Sequence, residues 1–175
     1  PLIGGALADN TLGQRKAVLF GAVLMAAGQF VLSAFPSGLY AGLLLLICGN
    51  GLFKPNISTM VGDLYAPDDL RRDSAFTIFY MGINIGSFLA GLAAGVLTGD
   101  GSFRPVFAAA GCGMLAALFL QLFLSGRYLG TAGLHPAAKS TESKGRNRLT
   151  KAEFKRLRVI SVLGLFTVVF WAGFE

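Results

Sequence analysis

The stretch SAFTIFYMGINIGSFLAGLAAGVLTG, residues 74–99, contains no charged residue in 26 positions. A helix needs about 20 apolar residues to cross the roughly 30 Å hydrocarbon core of a bilayer. Three further stretches are comparable: 17–34 and 105–126 carry no charge, and 39–62 carries only Lys54. Because backbone groups in lipid must be hydrogen-bonded within their own segment, all four are predicted to be helices. The sequence therefore predicts an all-α membrane protein.

The composition supports this class. Of the 175 residues, 54% are hydrophobic and only 14% are charged, whereas a soluble domain carries about 25% charged residues. This balance excludes a disordered chain and disfavours a water-soluble globule. Glycine is frequent, with 24 residues against 6 prolines, which is typical of closely packed membrane helices. Cys48 and Cys112 lie within apolar stretches and predict neither a disulfide framework nor a zinc site.

Both ends of the chain fall within apolar segments. Residues 1–8 are predicted to be the last turns of an earlier span, and 159–174 the beginning of a later one. Residue 1 is Pro1, and no basic n-region or cleavage site marks a signal peptide. We therefore expect an internal fragment of a longer polytopic protein.

The distribution of basic residues predicts the orientation of the spans. The loops at 9–16, 65–73 and 127–158 hold 2, 2 and 9 Lys or Arg residues, 13 in all, and the opposite loops hold only Arg104. The positive-inside rule places the basic loops in the cytoplasm, and a bacterial inner membrane is the expected location. The net charge of +6 is thus explained by topology, and nucleic acid is not expected as a partner.

The longest basic loop predicts a division of the chain. Residues 135–149, HPAAKSTESKGRNRL, are polar and lack apolar periodicity. Thr150 and Glu153 then fit a capping box, which predicts a helix that begins there and continues into the last apolar segment. We predict part of one helical bundle at 1–126, a cytoplasmic linker at 127–158 and the start of a second bundle at 159–175.

Lys54 is the first candidate functional residue, because an ionisable group within a span is costly and usually functional. It lies nine residues before Asp63, roughly 14 Å deep at 1.5 Å per residue. Pro55 removes a backbone donor and is expected to free the carbonyl of Gly51 at the wall of a wet cavity. The alternative is a structural ion pair with a carboxylate elsewhere in the bundle.

Tyr80 and Asn84 form a second candidate pair in the next span. They are four residues apart and share a helical face, and Asn84 lies roughly 15 Å from the start of the span, nearly the depth of Lys54. An amide and a phenol at this spacing suit a polar ligand, although ordinary interhelical hydrogen bonding by Asn84 is equally compatible. Two rows of small residues on the same helix predict close helix packing rather than ligand binding: Gly82, Gly86, Ala90 and Ala94 in one, and Ser87, Gly91 and Gly95 in the other.

The remaining polar residues carry weaker signals. Trp171 and Glu175 are four residues apart near the end of the chain, where they indicate either a cavity or the outer membrane interface. Asp9 and Arg15 lie between two spans, where charges latch helix ends or simply follow the positive-inside rule. His135 is interpreted as a solvated loop residue. No nucleophile with its base, metal cluster or phosphate loop is present, so an enzyme is not expected and no cofactor is predicted.

Four motifs resemble one family. Gly4-Gly-Ala-Leu-Ala-Asp9-Asn-Thr-Leu-Gly13, followed by Arg15-Lys16-Ala-Val18, resembles the loop between the second and third spans of major facilitator transporters, in the variant of proton-dependent oligopeptide transporters. Gly51-Leu-Phe-Lys54-Pro55-Asn56 with Gly62-Asp63-Leu-Tyr65 is similar to that family's fourth span. Phe76-Thr-Ile-Phe79-Tyr80 continuing to Phe88 resembles its fifth-span signature, and Phe170-Trp171-Ala-Gly-Phe-Glu175 the start of its seventh-span motif.

The resemblance implies a major facilitator fold of twelve helices, of which this chain covers the end of the second to part of the seventh. It implies proton-coupled symport of di- and tripeptides by alternating access, with the proton as coupling ion. Its implied substrate-binding residues are Lys54, Tyr80, Asn84, Trp171 and Glu175. Lys54 and Glu175 would also take part in proton coupling, and Asp9, Gly13 and Arg15 would form the cytoplasmic gate. The implied partners are small peptides, membrane lipid and the rest of the transporter chain.

Two alternatives stay open from the sequence. One is a relative with the same fold that moves nitrate or another small metabolite. The other is a polytopic membrane protein that transports nothing, such as a receptor or scaffold.

Overall fold

The computed structural model describes residues 1–66, 68–99, 101–130, 133–134, 136 and 151–174, except for the side chains of residues 151–153, 171 and 174. Most of these residues are helical, and no strand occurs among them. The elements are α1 (Leu2–Leu7), a π-helical turn (Ala8–Leu12), α2 (Gln14–Ala34), a 3-10 turn (Pro36–Gly38), α3 (Leu39–Asp63), α4 (Arg71–Leu97), α5 (Arg104–Tyr128) and α6 (Lys151–Phe174). The all-α prediction is confirmed.

The helices α2 to α5 are each long and apolar enough to cross a membrane. They contain the four predicted spans, except that α4 ends at Leu97, two residues before the end of the predicted span 74–99. The helix α6 begins at Lys151, as the capping-box pattern predicts, although Thr150 lies outside the described residues. We call the end of the helices at Arg15, Arg72 and Arg127 the basic end. The chain forms two compact units, Pro1–Lys139 and Ser140–Glu175, and the predicted domain boundaries at 126 and 158 stay a prediction.

The helices α2 and α3 run antiparallel and meet through two pairs of glycines. A Cβ atom on Gly21 would lie 2.7 Å from the carbonyl oxygen of Gly49, and one on Gly28 would lie 2.9 Å from that of Gly42. Ordinary side chains never approach backbone this closely, so only glycine fits at these crossings. Because lipid supplies no hydrophobic force between helices, such close contact is what holds membrane helices together.

The short helix α1 packs against the middle of α3. A Cβ atom on Gly4 would collide with the carbonyl oxygen of Gly51 and would lie 3.0 Å from the Cα atom of Leu52. Next to this contact the amide of Asn56, 2% exposed, donates 2.7 Å to the Leu52 carbonyl and 3.4 Å to that of Gly4. Asn56 therefore joins the two helices at their point of closest approach.

The helices α2 and α5 are joined at the end opposite the basic end. The ring of Phe30 covers Gly111, whose Cβ atom would lie 3.0 Å from it. The guanidinium of Arg104 donates to the carbonyls of Ser33 at 2.6 Å and Ala34 at 2.8 Å, and the Ser33 hydroxyl donates 2.9 Å to the Arg104 carbonyl. Since α2 ends at Ala34, Arg104 caps carbonyls that have no partner within the helix.

We expect Arg104→Ala to lower the stability of the folded protein by about 1 kcal/mol, because two charge-assisted hydrogen bonds are lost from an exposed site. Thermal unfolding in detergent measures the change. The matched control is Arg71→Ala, since the Arg71 side chain is 80% exposed and its guanidinium bonds, among the described residues, only Asp69, two residues away at 2.8 Å. An equal loss in both variants would contradict the capping role of Arg104.

The helix α4 contacts the rest of its unit mainly at the basic end. Arg72 and Phe76 approach Gly62 of α3, at 3.1 Å and 3.4 Å from the position of its Cβ atom. From residue 80 to 93 every residue of α4 is exposed. A Cβ atom on any of the row glycines (Gly82, Gly86, Gly91 and Gly95) would meet nothing within 4 Å. The prediction that these rows pack helices is therefore not met among the described residues, where the glycines of α1, α2 and α3 do so instead.

Candidate functional site

Lys54 lies in the second half of α3, nine residues before the last residue of that helix. Its side chain is exposed and forms no ion pair with any residue that the structure describes. Its backbone carbonyl accepts a hydrogen bond from the Ser58 hydroxyl at 3.2 Å. Within the described residues the ammonium group is thus free to meet a ligand, a proton acceptor or another part of the protein.

Pro55 has no N–H to donate to the Gly51 carbonyl, as expected, but the expectation that this carbonyl lines a wet cavity is wrong. The helix α3 continues without interruption through Pro55 to Asp63, and the carbonyl oxygen of Gly51 lies against Gly4 of α1. The oxygen therefore faces a helix contact rather than a wet cavity. Pro55 and Gly5 also meet at this surface, since a Cβ atom on Gly5 would lie 3.9 Å from that of Pro55.

Tyr80 and Asn84 lie one turn apart on α4, as predicted from their spacing. The amide of Asn84 donates 3.0 Å to the carbonyl of Tyr80, which fixes the orientation of the amide and leaves its oxygen available to a donor. The Tyr80 ring meets that of Phe79 edge to face, with 5.6 Å between centroids, and 56% of Tyr80 is exposed. The pair thus presents a phenol and an amide oxygen on an open helical face.

These residues occupy neighbouring helices. The helices α3 and α4 meet at the basic end, near Gly62, and Lys54 and Asn84 both lie well inside the membrane-capable segments. No hydrogen bond or ion pair joins Lys54 to Tyr80 or Asn84 in the described part of the chain.

The structure describes little of the two candidate residues near the end of the chain, Trp171 and Glu175. Trp171 lies on α6, in the second unit, and its side chain is outside the described residues. Glu175 is outside them altogether, as is His135. Their predicted roles at a substrate site stay predictions.

The predicted gate residues lie together at the basic end. Asp9 is exposed in the π-helical turn. Gly13 has φ 78° and ψ 148°, a conformation that L side chains rarely adopt, and a Cβ atom there would lie 2.8 Å from the Leu134 carbonyl oxygen. Arg15 lies in the first turn of α2 and is only 7% exposed.

Arg15 is buried because the segment after α5 covers it. Its guanidinium donates 3.0 Å to the carbonyl of Gly130, and its backbone N–H donates 2.9 Å to that of Gly133. Gly133 also contacts Met60 of α3, which lies 3.2 Å from the position of its Cβ atom. Gly130 and Gly133, at the start of the predicted linker, are therefore hydrogen-bonded to the first turn of α2.

Two buried polar atoms beneath this segment lack a partner among the described residues, namely Arg15 Nε and Gln14 Oε1. Sequence reasoning identified Arg15 but missed Gln14, Met60 and the docked segment. The only signal for them was the pair of glycines at 130 and 133, which allow the segment its left-handed turns at φ 51° and 70°.

We expect Arg15→Ala to loosen the docked segment, because it removes the charge-assisted hydrogen bond to Gly130 and leaves only the backbone bond to Gly133. Exchange of the amide hydrogen of residue 15 should become about tenfold faster, as expected for one such bond. Hydrogen exchange with mass spectrometry measures this rate. The control is Lys16→Ala, since that neighbouring side chain is exposed; equal acceleration there would contradict the fastening role of Arg15.

One loop carboxyl group has a displaced pKa. The side-chain hydrogen bond from Arg71, and then the backbone one, lowers the pKa of Asp69 below its ordinary value. A lowered pKa in the folded state adds stability above the unfolded value of about 3.9 and loses it as the pH falls towards the folded value. Asp69 therefore stays ionised throughout the roughly physiological range of pH 5 to 8. Its carboxyl group does not make the stability of the folded protein depend on pH in that range.

The arrangement defines a class, namely a polytopic helical membrane protein. Within its membrane-capable helices lie the cation of Lys54, the phenol of Tyr80 and the amide of Asn84, and at its basic end the segment after α5 is bonded to Arg15. Residues 15–136 match the model of the POT family. Since this is more than half of the chain, the chain belongs to the POT family of transporters.

Curated relatives agree with this assignment. The chain is 49% identical over 123 residues to the peptide transporter YePEPT of Yersinia enterocolitica, a match that covers 68% of this chain and 24% of that protein. It is 36% identical over 168 residues to a di-/tripeptide transporter of Lactococcus lactis, and the match covers 94% of this chain and 33% of that protein. The uncharacterized transporter YclF of Bacillus subtilis is 43% identical over 135 residues, and this match covers 75% of this chain and 27% of that protein. The chain thus spans about a quarter to a third of these relatives.

Solved structures show the same fold. A crystal structure of a peptide transporter POT in complex with alafosfalin superposes with a TM-score of 0.74 at 37% identity, covering 99% of this chain and 34% of that one. A POT family transporter in complex with 5-aminolevulinic acid superposes with a TM-score of 0.75 at 34% identity, and the match covers 97% of this chain and 34% of that one. The major facilitator fold implied by the sequence motifs is therefore confirmed.

Proposed function

We propose that this chain is part of a proton-coupled symporter of di- and tripeptides that works by alternating access. The proposal rests on family membership, because the named relatives are peptide transporters. One observation in the chain carries it further: Lys54 places within a span an exposed ammonium group that has no ion-pair partner among the described residues. A charged group in that position is expected to serve a substrate or a coupling ion.

The polar groups on α3 and α4 suit the chemistry of a short peptide. A peptide is a zwitterion, with a carboxylate at one end and an ammonium group at the other. Lys54 offers a cation for the carboxylate, whereas the Asn84 amide oxygen and the Tyr80 phenol offer acceptors for amide and ammonium groups. Trp171 and Glu175 are proposed to complete the site, with Glu175 holding the amino end.

The coupling ion is proposed to be the proton, with Lys54 and Glu175 in the transfer and no cofactor or enzymatic step. Asp9, Gly13 and Arg15 are proposed to form the cytoplasmic gate. The buried Arg15 Nε without a described partner supports this role, since an unsatisfied donor favours a state of the gate in which it finds an acceptor. The basic end is assigned to the cytoplasm by the positive-inside rule, most simply in a bacterial inner membrane.

The test is uptake of labelled dialanine by the intact protein reconstituted in liposomes, with and without an inward proton gradient. Symport predicts accumulation above the equilibrium level only when the gradient is present. Equal uptake in both conditions would remove proton coupling from the proposal. No uptake by correctly inserted protein would remove peptides, and nitrate and small acids would then be the substrates to test.

A further inference from the structure

A groove between α2 and α5 opens at the basic end of the bundle. It has a volume of about 590 Å³ and lies apart from Lys54, Tyr80 and Asn84. Its lining is Leu12, Lys16, Leu19, Phe20, Val23, Leu118 and Leu122. The groove is therefore apolar along its length, with a single ammonium group near one end.

We propose that this groove binds one anionic phospholipid, with an acyl chain between α2 and α5 and its phosphate on Lys16. The proposal does not depend on what the protein transports. It follows from the size of the lining residues, the position of the charge and the depth of the groove.

The size of the lining residues indicates lipid rather than another helix. Several of the closest helix contacts among the described residues are made at glycine, as at Gly4, Gly21, Gly28 and Gly111. The groove is lined by no glycine, alanine or serine. Since close helix approach in membranes needs small residues, a surface of leucine, valine and phenylalanine suits a flexible acyl chain better.

The position of the charge indicates an anionic headgroup. Lys16 lies in the first turn of α2 and is exposed, whereas the preceding Arg15 is buried under the segment after α5. The apolar stem of a lysine lies along such a surface while its ammonium group reaches the headgroup level. A phosphate at that level meets a free cation, because Lys16 forms no ion pair with any described residue.

The depth of the groove fits one leaflet. Lys16 and Val23 are seven residues apart on α2, which is about 10 Å along the helix, or a third of the hydrocarbon core. Phe20, Val23 and Leu122 are each half exposed along this length, at 55%, 48% and 53%. They present apolar surface to the bilayer on the leaflet of the basic loops.

The experiment uses the intact protein in nanodiscs of phosphatidylcholine with or without phosphatidylglycerol, and counts retained lipids by native mass spectrometry. Lys16→Gln removes the charge and Leu122→Trp fills the groove. The control is Arg71→Gln, which removes an exposed basic residue of the same membrane end, outside the groove. Thermal unfolding in phosphatidylcholine alone establishes that each variant is folded.

We expect Lys16→Gln to lower retention of phosphatidylglycerol about fivefold, the effect of one basic residue at the membrane surface. Leu122→Trp should lower it as well, and Arg71→Gln should leave it unchanged. Equal retention in Lys16→Gln and the native protein would overturn the proposal, and so would an equal loss in Arg71→Gln, which shows unspecific attraction. Unchanged retention in Lys16→Gln together with loss of folding in Leu122→Trp would show that another helix covers the groove.

Discussion

Replacing Lys54 with alanine should lower proton-driven uptake of dialanine by about 30-fold or more. The ammonium group has no ion-pair partner among the described residues and lies within a span, so its role is expected to come from a ligand or from the coupling reaction. Truncating one partner of a desolvated charge pair typically weakens binding by about 2–5 kcal/mol, and the lower limit corresponds to about a 30-fold loss of affinity. The liposome assay with an inward proton gradient measures this loss.

Two comparisons make the Lys54 result specific. Thr59→Ala is the matched control, because that hydroxyl is satisfied by the Pro55 carbonyl at 2.9 Å on the same helix, and we expect native uptake from it. Exchange of labelled against unlabelled dialanine without a gradient separates the two proposed roles of Lys54. Loss of driven uptake alone indicates proton coupling, whereas loss of both reactions indicates peptide binding. Accumulation that survives Lys54→Ala under the gradient would remove Lys54 from the mechanism.

The spans were predictable because their signal is local. A stretch such as 74–99 without a charge has one stable arrangement in lipid, and the structure places α4 there. The matching depth of Lys54 and Asn84, counted along the two helices, stays a prediction. These conclusions need only the rise of a helix and the thickness of a membrane.

The partners of individual residues were not predictable, because they depend on how helices cross. The small-residue rows of α4 were the clearest packing pattern in the sequence, yet a Cβ atom on any of their glycines would meet nothing within 4 Å in the described structure. Gly4 and Gly51, which are 47 positions apart in the chain, meet instead. The sequence identified Arg104 only as the single basic residue in the loops opposite the basic ones. Its role as the cap of α2 depends on the approach of α5 to Ser33.

The second large effect is expected at Gly4. Adding one methyl group by Gly4→Ala should destabilise the folded protein by at least about 1–3 kcal/mol, the usual effect of overpacking. The new Cβ atom would collide with the Gly51 carbonyl and lie 3.0 Å from the Cα atom of Leu52. Both are backbone atoms, which cannot move aside as a flexible side chain does. Separating α1 from α3 would also break the 3.4 Å hydrogen bond from Asn56 to Gly4.

Gly5→Ala is a closely matched control, because it adds the same methyl group to the next residue of the same helix. Its nearest neighbour would be the Cβ atom of Pro55 at 3.9 Å, an ordinary contact, so its stability should stay within about 0.5 kcal/mol of the native protein. Thermal unfolding in detergent, followed by size-exclusion chromatography, compares the two. Since helix propensity favours alanine equally at both positions, the difference between the variants isolates the contact with α3. Equal stability of Gly4→Ala and Gly5→Ala would show that α1 does not pack on α3 through Gly4.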